Sequence, residues 1–222
     1  MASMTEVILF FLRSDNDIRL LTQVITETLL QQPGCLRVRC GSLHENAKKA
    51  QCFVEWANIS RCQHFKAASS YTQFLEKLEP LLQSPPDFHL VRFQSTVSSA
   101  LDEEKTPVIE VLSMYYPSED NSTSDIIDKA RTNAIQVMGE SAPLAKGSTG
   151  VTALGWIVGN VDFKGEPCRA SVTLIGWESV EAHHLFRGTE AFEKGITLLK
   201  QTPGLKGVSV VHVLTATTGK SE

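Results

Sequence analysis

Apolar residues recur along the chain in two rhythms, one strand-like and one helical, and the rhythms alternate in the same order twice. Thr5–Arg13 (TEVILFFLR) and Val108–Tyr116 (VIEVLSMYY) are rich in β-branched and aromatic residues and predict two opening strands. Behind the first, Ile18, Leu21, Ile25 and Leu29 fall at helical spacing after the capping candidates Asp15 and Asn16; behind the second, Ile126, Ala130 and Val137 follow Ser122–Ser124. Pro33-Gly34 ends the first helix, because proline cannot continue it and glycine supplies a turn. Two strand-like runs come next in each copy, Cys35–Leu43 with Lys49–Trp56 and Gly150–Gly159 with Cys168–Trp177, across turns short enough for antiparallel hairpins. Each copy closes on a further strand, Asp87–Gln94 or Gly204–Leu214.

The segment between hairpin and last strand carries the clearest internal echo. Trp56 is followed nine residues later by Phe65, and Trp177 nine residues later by Phe186. A second phenylalanine follows, Phe74 or Phe192, and then Leu78 and Leu81, or Ile196 and Leu199, at i+4 and i+7 on one helical stripe. Each half therefore reads β-α-β-β-α-β, the ferredoxin-like order, in which helices cover one face of an antiparallel sheet. The expected class is α+β, with a first repeat at 1–95, a polar linker at 96–106 and a second repeat at 107–222. Each sheet keeps one uncovered apolar face, so the two halves are expected to pack sheet to sheet as an intrachain pseudo-dimeric α/β barrel.

Composition narrows the function without naming it. Of 222 residues, 42% are hydrophobic and 21% charged, a globular balance. The net charge of −4, spread along the chain, gives no footprint for nucleic acid. No apolar run approaches the roughly 18 residues of a membrane span, and the short apolar stretch near the amino terminus has no basic lead, so it reads as a strand and not a signal peptide. The five cysteines, Cys35, Cys40, Cys52, Cys62 and Cys168, form no CxxC pair and sit mostly in apolar runs. They read as small buried hydrophobes in a reducing cytoplasm.

Trp177, Glu178, Ser179, Phe186 and Phe192, echoed by Trp56, Ser60, Phe65 and Phe74, resemble the strand–Trp–short-helix motif of the dimeric α/β-barrel superfamily, in particular its antibiotic-biosynthesis-monooxygenase branch. The resemblance covers nearly the whole chain as two tandem copies and implies the barrel fold. It implies activity only as a class, since the superfamily includes cofactor-independent monooxygenases, polyketide cyclases, isomerases, haem-degrading enzymes and stress-response proteins. The haem-degrading members carry their iron-ligating histidine four residues after the last phenylalanine, where this chain has Ile196 and Leu78, so no haem is expected.

The polar candidates gather in the second copy. His183, His184 and His212 are the candidate acid/base groups, because imidazole titrates near neutrality, and Glu181 is spaced to orient His184. Tyr115, Trp156, Trp177 and Arg187 are the candidate ligand-binding residues. The first copy offers a more scattered set, Arg37, Arg39, His44, His64 and His89. No HxxxH or HxH spacing occurs and no carboxylate cluster stands beside the histidine pair, so no metal is expected. GxGxxG, Walker and GxSxG motifs are missing as well, and no cofactor is expected. Joined to these features, the resemblance implies a cofactor-independent enzyme that cyclises, isomerises or oxygenates an apolar, oxygenated, polyketide-like small molecule; the alternative is a non-catalytic stress-response-type barrel that binds a ligand or partner. The expected partner is that small molecule, without nucleic acid or membrane, and the candidate assembly is a homodimer of the two-repeat chain.

Overall fold

Two four-stranded antiparallel sheets, one from each half of the chain, join along both edges into a single closed barrel. The computed structural model describes residues 3–118, 125–130, 132–133 and 147–215. The first half runs β1 (Met4–Leu12), α1 (Asp17–Leu29), β2 (Cys35–Leu43), β3 (Asn46–Trp56), α2 (Ile59–Ala67), α3 (Ser69–Leu78) and β4 (Leu82–Phe93). The second runs β5 (Val108–Pro117), α4 (residues 125–130), β6 (Ser148–Ile157), β7 (Val161–Phe163), β8 (Glu166–Trp177), α5 (Val180–Arg187), α6 (Glu190–Lys200) and β9 (Gly207–Thr215). Around the barrel the strands follow β5-β9-β2-β3-β1-β4-β6-β8, and β8 pairs back to β5. Closure pairs the edge strands of each half with those of the other, β2 with β9 and β4 with β6, and leaves the short β7 outside the ring.

The two copies are in register with each other. Trp56 lies opposite Met4, and Trp177 opposite Val108, so Glu6 and Glu110, two residues further along β1 and β5, occupy equivalent positions. The seams are equivalent too, β2 pairing with β9 and β4 with β6. Each seam contains a glycine five residues back in the same frame, Gly41 opposite Gln51 and Gly155 opposite Val172. A Cβ on Gly41 would stand 1.8 Å from the Leu214 carbonyl oxygen, and one on Gly155 2.7 Å from that of Arg92. Only glycine allows the sheets to approach this closely.

Strand alternation sorts the side chains into two environments. Val7, Phe53, Val91, Ile109, Val111, Val172, Leu174 and Val213 point into the barrel and form one cluster shared by both halves. The other faces carry the helices. Leu21, Ile25 and Leu29 of α1 are fully buried against the first sheet beside Trp56, Phe65, Phe74 and Leu78, each aliphatic contributing roughly 2 kcal/mol of burial. On α4 the structure departs from the expected face, burying Ile127 and leaving Ile126 exposed; Ser122–Ser124 and Val137 lie outside the described residues.

Three further expectations change. The 96–106 segment is not a polar tether: Val97, Ala100 and Leu101 are buried in the shared cluster and plug one end of the barrel. Arg39, itself 1% exposed, binds that plug through the Ala100 and Pro107 carbonyls and the Thr215 hydroxyl. Burial lowers its pKa to about 10. The connection between β6 and β8, expected as a loop, folds into an extra hairpin, because Lys164 and Gly165 both take positive φ and make a tight turn between β7 and β8. Finally, Cys40 and Cys52 are not free hydrophobes. The antiparallel register sets them directly opposite at a Cα separation of 4.1 Å, and they form a disulfide.

Candidate functional site

Between the helix-bearing face of the second sheet and helices α5 and α6 lies a cavity of about 540 Å³ with mostly apolar walls, including Leu112, Ile175, Phe186, Phe192 and Ile196. Trp177, at the end of β8, closes one wall and stacks on His183 with ring centroids 4.9 Å apart. The α5 helix begins where Ser179, at its N-cap, accepts a hydrogen bond from the Ala182 amide. One turn later that geometry directs His183 inward, 3% exposed, and leaves its neighbour His184 on the surface, as residues 100° apart on a helix must be.

Glu110 is buried at the floor of the cavity on β5. It accepts a 2.8 Å hydrogen bond from the Trp177 indole N–H and stands 3.5 Å from His183 Nε2. Burial pushes its carboxyl pKa up to about 7, against the Trp177 hydrogen bond and the Arg187 charge. Burial, followed by the charges of His212, Arg187 and His184, pushes His183 down to about 3. The pocket therefore favours a neutral imidazole beside a carboxyl group that titrates near neutrality.

Behind His183 the contacts continue outward. Its Nδ1 lies 2.6 Å from Nε2 of His212, which is 3% exposed on β9. His212 Nδ1 lies 2.5 Å from Glu45 Oε1, and the Glu45 carboxylate also accepts the His212 amide at 3.0 and 3.2 Å. Glu45 belongs to the other half of the chain, in the turn between β2 and β3. It reaches His212 because the β2–β9 seam runs Gly41, Ser42 and Leu43 against Thr215, Leu214 and Val213 and continues through the His44 amide to the His212 carbonyl. Burial raises the Glu45 pKa, but hydrogen bonds from the His212 ring and amide outweigh it and hold the carboxyl below its ordinary value.

The structure thus brings His183 and His212 together with Trp177, and sets Arg187 on the cavity rim. His184 is exposed, 5.9 Å from the His212 ring centroid, with no hydrogen bond to it, and does not line the cavity. Two ligand-binding expectations are corrected. Tyr115 points to the opposite face of β5 and stacks on Phe163 at 4.0 Å, away from the cavity. Trp156 shares the helix-bearing face but packs on Tyr116 and donates to Asp128. The expectation that no carboxylate cluster stands beside the histidine pair changes too, since Glu110 lies 3.5 Å from His183 and Glu45 bonds His212 behind it. A signal for Glu110 was present: a lone carboxylate inside an apolar strand, at the place where the first copy has Glu6. Glu45 had no local signal, since only the seam places it.

Glu110, His183 and His212 each offer one ligand atom within 4.8 Å of the others, the donor set of a divalent-cation site. In this arrangement His183 Nδ1 and His212 Nε2 are 2.6 Å apart, closer than the roughly 3.3 Å that two nitrogens on one tetrahedral ion would keep. The pair is a hydrogen bond, and only one of these two nitrogens could bind an ion without the rings moving.

The first half shows the same scaffold with different side chains at the matching positions. Phe65 stacks on Trp56 as Phe186 packs on Trp177. Where the second copy has His183 and Arg187, the first has Cys62 and Lys66, each at the same distance from its tryptophan. Glu6, in the place of Glu110, is neutralised by Lys66 at 2.5 Å and accepts from the Cys62 thiol. Leu90, opposite Glu6, stands where His212 stands opposite Glu110.

No protein-family model and no curated protein matches the sequence. Solved structures share its fold along the whole chain. A candidate monooxygenase from Lactobacillus acidophilus NCFM is 10% identical over 96% of this chain and 94% of its own, with a TM-score of 0.61. Another, from Fusobacterium nucleatum, is 9% identical over 96% and 92%, with a TM-score of 0.64. An anthrone oxidase-like protein is 12% identical over 97% and 92%, with a TM-score of 0.65. The chain has the fold they share, two tandem ferredoxin-like units forming a pseudo-dimeric α/β barrel. No helix among the described residues is long and apolar enough to cross a membrane.

Proposed function

We propose that the chain is a cofactor-independent oxygenase for an apolar, enolisable polycyclic phenol or anthrone, with its site in the second half. The observation that carries this reading is the His183 ring, buried with its Nε2 3.5 Å from Glu110 beside an apolar cavity large enough for a small polycycle. His183 takes a proton from the carbon between two aryl rings. Trp177 and Phe186 stack on the planar substrate, and Glu110, as the neutral acid, donates a hydrogen bond to the oxygen on which the negative charge settles. The anion supplies the electrons: it adds O2 with formation of a C–O bond, and the peroxide takes up one proton. Loss of the second proton from the same carbon, with cleavage of the O–O bond, gives the quinone and one water. Each turnover consumes one O2 and requires no bound redox group. Cyclisation or isomerisation would use the same proton abstraction; the names of the proteins sharing the fold favour oxygenation.

The test uses 1,8-dihydroxyanthrone in air, following quinone absorbance and O2 uptake above the uncatalysed rate. Substituting His183→Gln is expected to lower kcat by roughly 10²–10⁴-fold, the usual worth of a general base. A wild-type protein no faster than buffer across a panel of anthrones and naphthols, or a variant as fast as wild type, would defeat the proposal.

A further inference from the structure

We propose that protons move between the cavity and solvent through a relay, His183 to His212 to Glu45, whose outer terminus is supplied by the opposite half of the chain. This rests on the acid/base reading of the cavity. The direction of every hydrogen bond follows from one end. A carboxylate only accepts, so His212 donates Nδ1–H to Glu45. A ring that carries only that proton has its lone pair on Nε2, which accepts Nδ1–H from His183. That leaves the His183 lone pair on Nε2, toward Glu110 and the cavity. Both rings are 3% exposed, whereas the Glu45 side chain is 37% exposed, so the path runs from a dry interior to water.

The proton balance is closed. A substrate proton binds His183 Nε2 as Nδ1–H passes to His212 Nε2 and His212 Nδ1–H passes to Glu45. Return of a proton along the same path, to the peroxide, restores both starting tautomers. Besides Glu110, the titratable and charged groups facing the relay are His44 in the β2–β3 turn and Glu181, His184 and Arg187 on α5. Among the described residues none of them accepts a hydrogen bond from either ring, so they offer no branch. The first half has no such path: Cys62 and Leu90 replace the two histidines. The position matching Glu45, four residues beyond the seam glycine, is Gly159 in the second half, which has no side chain to extend a relay.

Two measurements on the full chain test this. In ¹⁵N-histidine spectra at neutral pH, both His183 and His212 are expected as the Nδ1–H tautomer, with a strongly deshielded His212 proton that disappears in Glu45→Gln, and with a change at His183 transmitted through His212. In anaerobic solvent-hydrogen exchange of 1,8-dihydroxyanthrone, Glu45→Gln is expected to lower kcat at least about tenfold at nearly constant KM. Small carboxylate buffers should restore the rate, and Glu45→Asp should retain most of it. Finding His183 as the Nε2–H tautomer, or Glu45→Gln spectra identical to wild type, overturns the relay whether or not a substrate turns over. Exchange that depends on His183 but is indifferent to Glu45 overturns the relay and leaves the acid/base reading standing, whereas no exchange in the wild type overturns that reading alone.

Discussion

Glu6 and Glu110 hold the same place in the two halves, and their neighbours decide what each can do. Glu6 meets Lys66 and is a structural ion pair; Glu110 meets an indole N–H and a neutral imidazole and bears the cost of burial. That cost has a pH signature. Below about pH 4 the folded and unfolded chains both carry the proton on Glu110. Between 4.5, the ordinary value, and about 7, the folded value, only the folded chain keeps it, so stability falls as pH rises through this window and stays lowered above it. A shift of this size corresponds to about 3 kcal/mol. Glu110→Gln keeps an acceptor for Trp177 and removes the penalty, so urea unfolding should find the variant more stable than wild type at pH 8 by up to that amount and equal at pH 4. An equal difference at both pH values would show that Glu110 is not the strained group. At this scale His183, Trp177 and Arg187 could be singled out in the sequence because they are local to one motif, whereas the neighbours of Tyr115 and Trp156 could not: Tyr115 lies on the opposite face of β5 against Phe163, and Trp156, on the helix-bearing face, is held away from the cavity by Tyr116 and Asp128.

At the scale of elements, the alternation of apolar residues and the Pro33-Gly34 stop made nearly every strand and helix legible, and the register of hydrogen bonds added what periodicity cannot carry. The Cys40–Cys52 bond, the plug formed by Val97, Ala100 and Leu101, and the meeting of Glu45 with His212 all depend on pairings between residues far apart in the chain or opposite one another across a hairpin. The seam glycines are the elements' weakest tolerance. Gly41→Ala pushes a Cβ into the Leu214 carbonyl, a backbone atom that cannot turn aside, and should cost about 2 kcal/mol or more. Gly159→Ala meets nothing within 4 Å and should cost only the roughly 1 kcal/mol of its positive φ. Thermal melts compare the two, and amide exchange at His44, which bonds the His212 carbonyl across the seam, should quicken in Gly41→Ala alone. Unchanged protection at His44 would mean that the seam does not need the glycine.

At the scale of the molecule, fusion of two copies releases one of them from self-complementarity. In a dimer of identical halves every seam residue must serve both sites, but here the first half sets the Glu6–Lys66 ion pair at the place of Glu110 and offers Glu45 to its neighbour's site. Residues 107–222 expressed alone would expose the inner face carrying Ile109, Val111, Leu174 and Val213, together with two open edges, β6 and β9. Such a fragment can satisfy both only with a second copy of itself, β9 of one pairing with β6 of the other as β9 now pairs with β2. Native mass spectrometry should therefore find it dimeric, with the cavity present twice but Gly159 at the position of Glu45, so that His212 loses its Nδ1 acceptor. Adding residues 1–106 should convert the dimer to a one-to-one complex and return the deshielded His212 proton. A stable monomeric fragment would show instead that the first half is dispensable to the barrel.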